Sequence, residues 1–316
     1  MRREPEQATS VTVFIFANHR ARYLPIALNE LARCEAVQTS RAAIVILADR
    51  ISFMQALRAR RRLRKAASIS VRLNLFHRRG NSYWQKLAHV ESSDSQYVVK
   101  CDEDIFMTSA GWDVLLSQTP EEDVVLSPVL STGIPTVEHF LDACGDRVFA
   151  SEIRASLSGQ RIPDAWGQDY SALPDYYAPN PAEFFESVEH LQTDLKGVHP
   201  IRFSETAQWQ LARHCVEEGW WRETHEPRRV PLNFPYLCNS LILTTPTVYQ
   251  RLLKDVSSGQ IPFDGYDEIG LNRQAREGRL RIEVLLGCHA VHPSYNACGP
   301  VYESISDYFF RKVSRG

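Results

Sequence analysis

The sequence has no run of 18 apolar residues, no internal repeat, no low-complexity tract and no two cysteines spaced CxxC. Without a long apolar run there is no candidate transmembrane helix. The polar opening MRREPEQATS has no apolar core of the kind a secretory signal needs. The seven cysteines (Cys34, Cys101, Cys144, Cys215, Cys238, Cys288 and Cys298) are scattered and odd in number. That pattern argues against a disulfide framework or a cysteine zinc site, and it fits reduced thiols and a cytoplasmic location. An excess of charge of one sign is also missing: 36 Lys and Arg face 38 Asp and Glu, for a formal net charge of -2. A general nucleic-acid binder would be basic, so nucleic acid is not an expected partner. The one strongly basic stretch, RARRRLRK at 58–65, reads as the solvated face of a helix, with a surface for an anionic partner as the alternative. No aromatic residues are interleaved in it as stacking platforms for bases.

What is present is a chain of 316 residues, 44% hydrophobic, in which short apolar runs alternate with helical spacing. VTVFIFA at 11–17 is a short run rich in β-branched residues, the mark of a buried strand. Asn18-His19-Arg20 follows as a turn, and Leu24, Leu28 and Leu31 recur at helical spacing. Further strands are expected at 43–47, running to Asp49, and at 71–76, 96–101 and from 124. Helices are expected at 52–66, 83–91 and 108–118. This alternation implies βαβ units on a mostly parallel sheet. Regularity is expected to break after about residue 130, apart from short helices such as one near 205–218. Order returns at 237–243, followed by helices near 246–255 and 266–277, a strand near 281–288 and a closing helix at 301–312. The closing helix carries Tyr302, Ile305, Tyr308 and Phe309 on one side.

The chemistry concentrates in YVVKCDEDIF at 97–106, where a buried-looking strand runs into three adjacent carboxylates. Like charges repel, and each loses solvation near a core, so the cluster either faces water or has something positive among its members. Alternate residues of an extended chain share a side, which would let Asp102 and Asp104 converge while Glu103 points elsewhere. Two converging carboxylates suit Mg²⁺ or Mn²⁺. An EF-hand is excluded, because the loop position that needs Gly is Met107. Lys100, two residues before Asp102, can pair with the cluster or contact phosphate.

Taken together, these segments resemble a GT-A glycosyltransferase, most like family 2, over roughly residues 11–127 and 236–295. The first strand with its Asn18-His19-Arg20 turn resembles that family's opening, and 97–106 resembles its fourth strand and DxD motif. GYDEIGLNRQ at 265–274 resembles its later acidic motif. The resemblance implies a Rossmann-like mixed sheet flanked by helices in one compact catalytic domain. Residues 1–127 would be the nucleotide-sugar half and 128–235 an irregular insertion, lid or acceptor region. Residues 236–300 would be a second half with catalytic and acceptor elements, and 301–316 a C-terminal helix. It implies an enzyme that moves a sugar from a nucleotide-diphosphate donor, UDP-sugar being the first choice, to a hydroxyl of a small molecule, lipid head or glycan. The anomeric centre would be inverted.

By that resemblance, Ala17, Asn18, Arg20, Asp49, Trp84, Lys86 and Asp102 contact the nucleotide. Asp102 and Asp104 hold the metal, with His292 of HAVHPSY beside them. His289 is the weaker histidine candidate. Glu268 is the general base, with Asp267 as the alternative. Acids in a helix's first turn are also simply favoured by the dipole. Trp166, Asp169 and Trp209 are candidates for an acceptor surface, although aromatic side chains also fill cores. The chain departs from the family in the lean LADRIS after the second strand, in the Glu at the centre of DxD and in the absence of a QxxRW-like motif, which argues against a processive synthase. Two other readings stay open. A nucleotidylyltransferase would want a Gly-rich basic loop after the first strand, and this loop has no glycine. The other is a non-catalytic nucleotide- or glycan-binding module.

Overall fold

A computed structural model describes residues 10–18, 20–67, 71–76, 82–133, 136–157, 201, 204–222, 225–232, 237–259, 267–294 and 301–314. In chain order the elements are β1 (Val11–Ala17), α1 (Leu24–Arg33), α2 (Glu35–Gln38), β2 (Ala42–Asp49), α3 (Phe53–Ala67), β3 (Val71–Phe76) and α4 (Ser82–Glu91). They continue with β4 (Tyr97–Asp102), α5 (Ser109–Leu116), β5 (Val124–Leu130), α6 (Thr136–Ala143), α7 (Arg147–Leu157), α8 (Glu205–Glu217) and β6 (Arg228–Pro231). The last are β7 (Leu241–Thr244), α9 (Pro246–Ser257), α10 (Asp267–Arg276), β8 (Arg281–Ala290) and α11 (Val301–Val313).

The strands form one mixed sheet in the order β3-β2-β1-β4-β7-β5-β8-β6. Strands β1 to β4 run parallel; β7 is antiparallel to both of its neighbours, and β6 is antiparallel to β8. Every residue of β1 is buried, and its side chains split by the period of two. Val13 and Ile15 pack with Leu24, Leu28, Ala59 and Trp112 on one face, while Phe14 and Phe16 pack with Trp84, Leu87, Val248 and Leu252 on the other. Helices therefore cover both faces, which is the α/β architecture the alternating pattern implied. No helix among the described residues is long and apolar enough to cross a membrane. The six described cysteines are free and buried.

The stretch after residue 130 is more regular than expected. Val137, Phe140 and Leu141 in α6, and Ala150, Ile153 and Leu157 in α7, are short apolar sets at helical spacing. They bury against Phe106, Trp221, Val284, Phe309 and Phe310 in a third core cluster. That cluster draws on both ends of the chain, so these helices share a core with α11. Strand β6, also unexpected, is a four-residue edge strand.

Strand β8 reaches the candidate site through a bulge. Pro128 faces Leu285, yet the next residue, Val129, faces His289. Gly287 sits in this bulge at φ +83, and a Cβ there would lie 2.9 Å from the backbone oxygens of both His225 and Glu226. A left-handed backbone costs a residue with a Cβ about 1–2 kcal/mol before any clash. Gly287→Ala is therefore expected to lower the thermal midpoint measurably. An unchanged midpoint would mean that the bulge and the 225–226 backbone yield without cost.

Candidate functional site at the ends of strands 1 and 4

Strand β1 lies between β2 and β4, so the chain leaves it in opposite directions across the sheet. In open α/β sheets ligands bind at such a switch point, beyond the carboxyl ends of the strands. Here those ends carry Ala17 and Asn18 after β1, Asp49 at the end of β2, and the acidic triplet at the end of β4.

The alternation argument for the triplet does not extend past Asp102. Strand β4 ends there, and residues 103 and 104 form a turn, so each carboxylate goes its own way. Asp102 Oδ1 accepts from Lys100 Nζ at 2.9 Å, and the same ammonium donates to the Asn239 carbonyl at 2.9 Å. Glu103 Oε1 accepts from the Arg20 backbone N–H at 3.0 Å. Asp104 Oδ2 accepts from Arg20 Nη1 at 3.1 Å and from the Tyr302 hydroxyl, and it lies 3.5 Å from His292 Nε2. Arg20 also stacks on the Tyr302 ring, 3.9 Å from guanidinium carbon to centroid.

The repulsion implied by the triplet is thus answered from within the chain. Two anions meet two cations, Asp102 with Lys100 and Asp104 with Arg20. The third carboxyl, Glu103, is pushed upward in pKa by burial first and then by Asp104 and Asp102, which favours its neutral form. For Asp104, burial works against the charge, but His292, Arg20 and the Tyr302 bond outweigh it and hold the carboxyl below the usual range. Arg20 is disfavoured by burial, yet the fields of Asp104, Tyr302, Glu103 and Asp102 keep it above its ordinary value.

The neighbouring loop is fixed by a second buried lysine. Lys86 Nζ donates to the Ala17 carbonyl at 3.2 Å and to Asn18 Oδ1 at 2.7 Å. Burial pushes its pKa down. The Ala17 carbonyl also accepts from Ser52 Oγ at 2.7 Å. Asp49 acts here as a turn residue: its Oδ1 accepts the N–H groups of Ile51 and Ser52, each at 3.0 Å. Trp84 lies in the core beside Phe16 and Leu87.

The structure therefore gathers Ala17, Asn18, Arg20, Lys86, Asp102, Asp104 and His292 around one switch point. Asp267 and Glu268 open α10; their side chains lie outside the described residues. Trp166 and Asp169 also lie outside them. Trp209 is on α8, with its ring 5.6 Å from that of Tyr308 on α11 and Arg213 over it. Tyr302 was legible in the sequence only as part of an apolar helix face, and nothing local marked its hydroxyl as a partner of Asp104.

One buried atom bears on whether these residues suit a divalent cation. Asp104 Oδ1 has no hydrogen-bond partner among the described residues, and an imidazole stands beside the same carboxylate. An unpartnered carboxylate oxygen with a histidine next to it fits a hard or borderline cation. Asp102 is turned toward Lys100 instead, and no set of three His, Cys, Asp or Glu side chains among the described residues is arranged to hold a metal.

No family model matches the chain, and no curated protein matches it in sequence. Among solved structures it is similar to the mannosyltransferase PcManGT from Pyrobaculum calidifontis in complex with GDP-Man and Mn²⁺, at 14% identity and a TM-score of 0.44, over 89% of this chain and 56% of that one. It is also similar to the WbbM bifunctional glycosyltransferase in its apo structure, at 18% identity and a TM-score of 0.31, over 45% of this chain and 26% of that one. The third is the inositol-1-phosphate CTP transferase from T. maritima, at 9% identity and a TM-score of 0.40, over 98% and 99%. The chain spans little more than half of the first of these and about a quarter of the second. None of the three transfers a residue role to it.

Proposed function

We propose that this chain is a metal-dependent glycosyltransferase of the GT-A type, passing a sugar from a nucleotide-diphosphate donor to a hydroxyl acceptor with inversion. The observation that carries the reading is the convergence, at one switch point, of the loop after β1, the DxD carboxylates after β4 and His292 after β8. These segments are distant in sequence: the sheet sets β1 beside β4, and the bridge between Phe106 and Val291 brings His292 up to Asp104.

In this reading Asn18 and the Ala17 carbonyl, both anchored by Lys86, form the floor for the nucleoside, and Asp102 receives a ribose hydroxyl. Asp104, through its unpartnered Oδ1, and His292 would hold the cation. When bound, that cation supplies charge stabilisation to the leaving diphosphate. Arg20, donating to Asp104 Oδ2, orients that carboxylate. Glu268, or Asp267, takes the proton of the acceptor hydroxyl as its oxygen bonds to the anomeric carbon. The bond from that carbon to the diphosphate oxygen breaks, and the nucleoside diphosphate departs with the electron pair.

The test is calorimetric titration with UDP, GDP, CMP and dTDP, each with Mn²⁺ and with EDTA. One diphosphate, UDP by expectation, should bind with Mn²⁺ and lose at least about tenfold in affinity with EDTA, a difference of about 1.4 kcal/mol. No binding of any nucleotide by the folded protein with the metal present would overturn the reading and favour a module of another kind. Consumption of a nucleoside triphosphate with release of pyrophosphate would replace it by nucleotidyl transfer.

A further inference from the structure

The sequence balances to a net charge of -2 only as a whole. Residues 50–90 contain eleven Lys and Arg and no Asp or Glu, which leaves 25 basic and 38 acidic residues elsewhere. The stretch is therefore +11 on a remainder of -13. Its centre is α3, whose inner line Ala56, Ala59 and Leu63 is buried at 0%, 0% and 3% exposure. On the opposite face Met54, Arg58, Arg61 and Arg62 fall four, seven and eight residues along, and all are exposed. Among the described residues no carboxylate pairs with Arg50, Arg58, Arg61, Arg62 or Arg64.

The arginines alone would be a solvated face. The apolar residues beside them change the reading. Ile51 and Met54 are 76% and 53% exposed, and they make up two of the three large hydrophobics left exposed among the described residues. Met54 lies in the first turn of α3 and Ile51 in the turn just before it, where the chain has just left the carboxyl end of β2. Ile51 is held there by the turn in which its N–H donates to Asp49. An apolar tip backed by a ridge of arginines suits the surface of an anionic bilayer, where the cations meet the phosphates and the two aliphatic side chains meet the acyl boundary.

We infer that the exposed face of α3, tipped by Ile51 and Met54, docks the protein on an anionic lipid surface. The occupant is a membrane rather than a nucleic acid, because a nucleic acid offers phosphates to the arginines but nothing to two exposed aliphatic side chains, and no aromatic ring stands among the arginines to stack on bases. The geometry adds a consequence. The apolar tip lies at the same end of the parallel strands as Ala17, Asp49 and Asp102, so docking turns the switch-point site toward the lipid headgroups. This inference rests on the charge and exposure of α3 and not on the reaction proposed above.

The test is co-sedimentation of the full chain with phosphatidylglycerol-containing vesicles and with pure phosphatidylcholine vesicles. Binding is expected to the first, to fall with salt, and to be absent from the second. R58Q/R61Q/R62Q should weaken it about 100-fold, or about fivefold per arginine. I51S/M54S should weaken it about tenfold with all charges retained. All five positions are on the surface, so the variants should melt with the wild type. No binding to anionic vesicles, or binding that neither variant reduces, overturns the inference. So does equally tight binding of duplex DNA or RNA that is indifferent to I51S/M54S, which would make the face a general polyanion surface. Because nucleotide binding is measured separately, a failure here is distinct from a failure of the transferase reading.

Discussion

Asp104→Ala is expected to destabilise the protein by about 3–5 kcal/mol, the usual cost of removing one partner of a buried ion pair. The substitution removes an acceptor shared by Arg20, Tyr302 and His292 and leaves the guanidinium of Arg20, on a side chain only 15% exposed, without its carboxylate partner. The loss should appear as a lower urea midpoint. Two companions separate its parts. Tyr302→Phe keeps the ion pair and removes one hydrogen bond to a charged group, worth about 1.5–3 kcal/mol. The double variant Arg20→Met/Asp104→Ala should recover part of the loss, because it strands no charge. Asp104→Asn, the near-isosteric change, is the one to read in activity: if the carboxylate holds a cation, metal-dependent nucleotide binding disappears. An Asp104→Ala variant that unfolds at the wild-type midpoint would mean that the charge is not held by Arg20. An Asp104→Asn variant with full metal-dependent turnover would remove Asp104 from the cation site.

Glu268→Gln is expected to reduce turnover by about 10²–10⁴-fold, the range for losing a general base, with nucleotide-diphosphate binding unchanged. Asp267→Asn should have the smaller effect. Both residues open α10, where an acid also meets the helix dipole. That dipole contribution is about 0.3–1 kcal/mol of stability and does not enter the rate. Steady-state kinetics and a melting curve on the same two variants therefore separate the roles. A small loss of stability with an unchanged rate makes Glu268 a helix-terminal acid and moves the base to Asp267 or beyond. A large loss of rate with little loss of stability supports Glu268 as the base.

Much of the sheet was legible before any coordinates. VTVFIFA and VRLNLF are strands at the residues the apolar runs marked, and GYDEIGLNRQ leads into a helix beginning at Asp267. Strong periodicity over a run bounded by turn residues is a local signal, and it survives packing. The helices at 136–157 were not located because each buries only three hydrophobic residues, too few to stand out until α11 and Phe106 supply the rest of their core. Asp49 and Trp84 were assigned to the nucleotide only through the family resemblance. The structure gives each a local task, one capping a turn and the other filling the core.

The sequence by itself determined that three carboxylates sit together at the end of a buried strand, and that something must offset their charge. Lys100, two residues away, was visible as one candidate. The other partners lie far along the chain, Arg20 at 84 residues and Tyr302 at 198 residues from Asp104. Only the tertiary structure chose them. Placing β1 beside β4 brings the turn after one strand against the turn after the other, and packing α11 against Phe106 brings the Tyr302 hydroxyl to the same carboxylate. Charge balance depends on distance in space, and it is the order of the strands and the docking of the last helix that fix that distance.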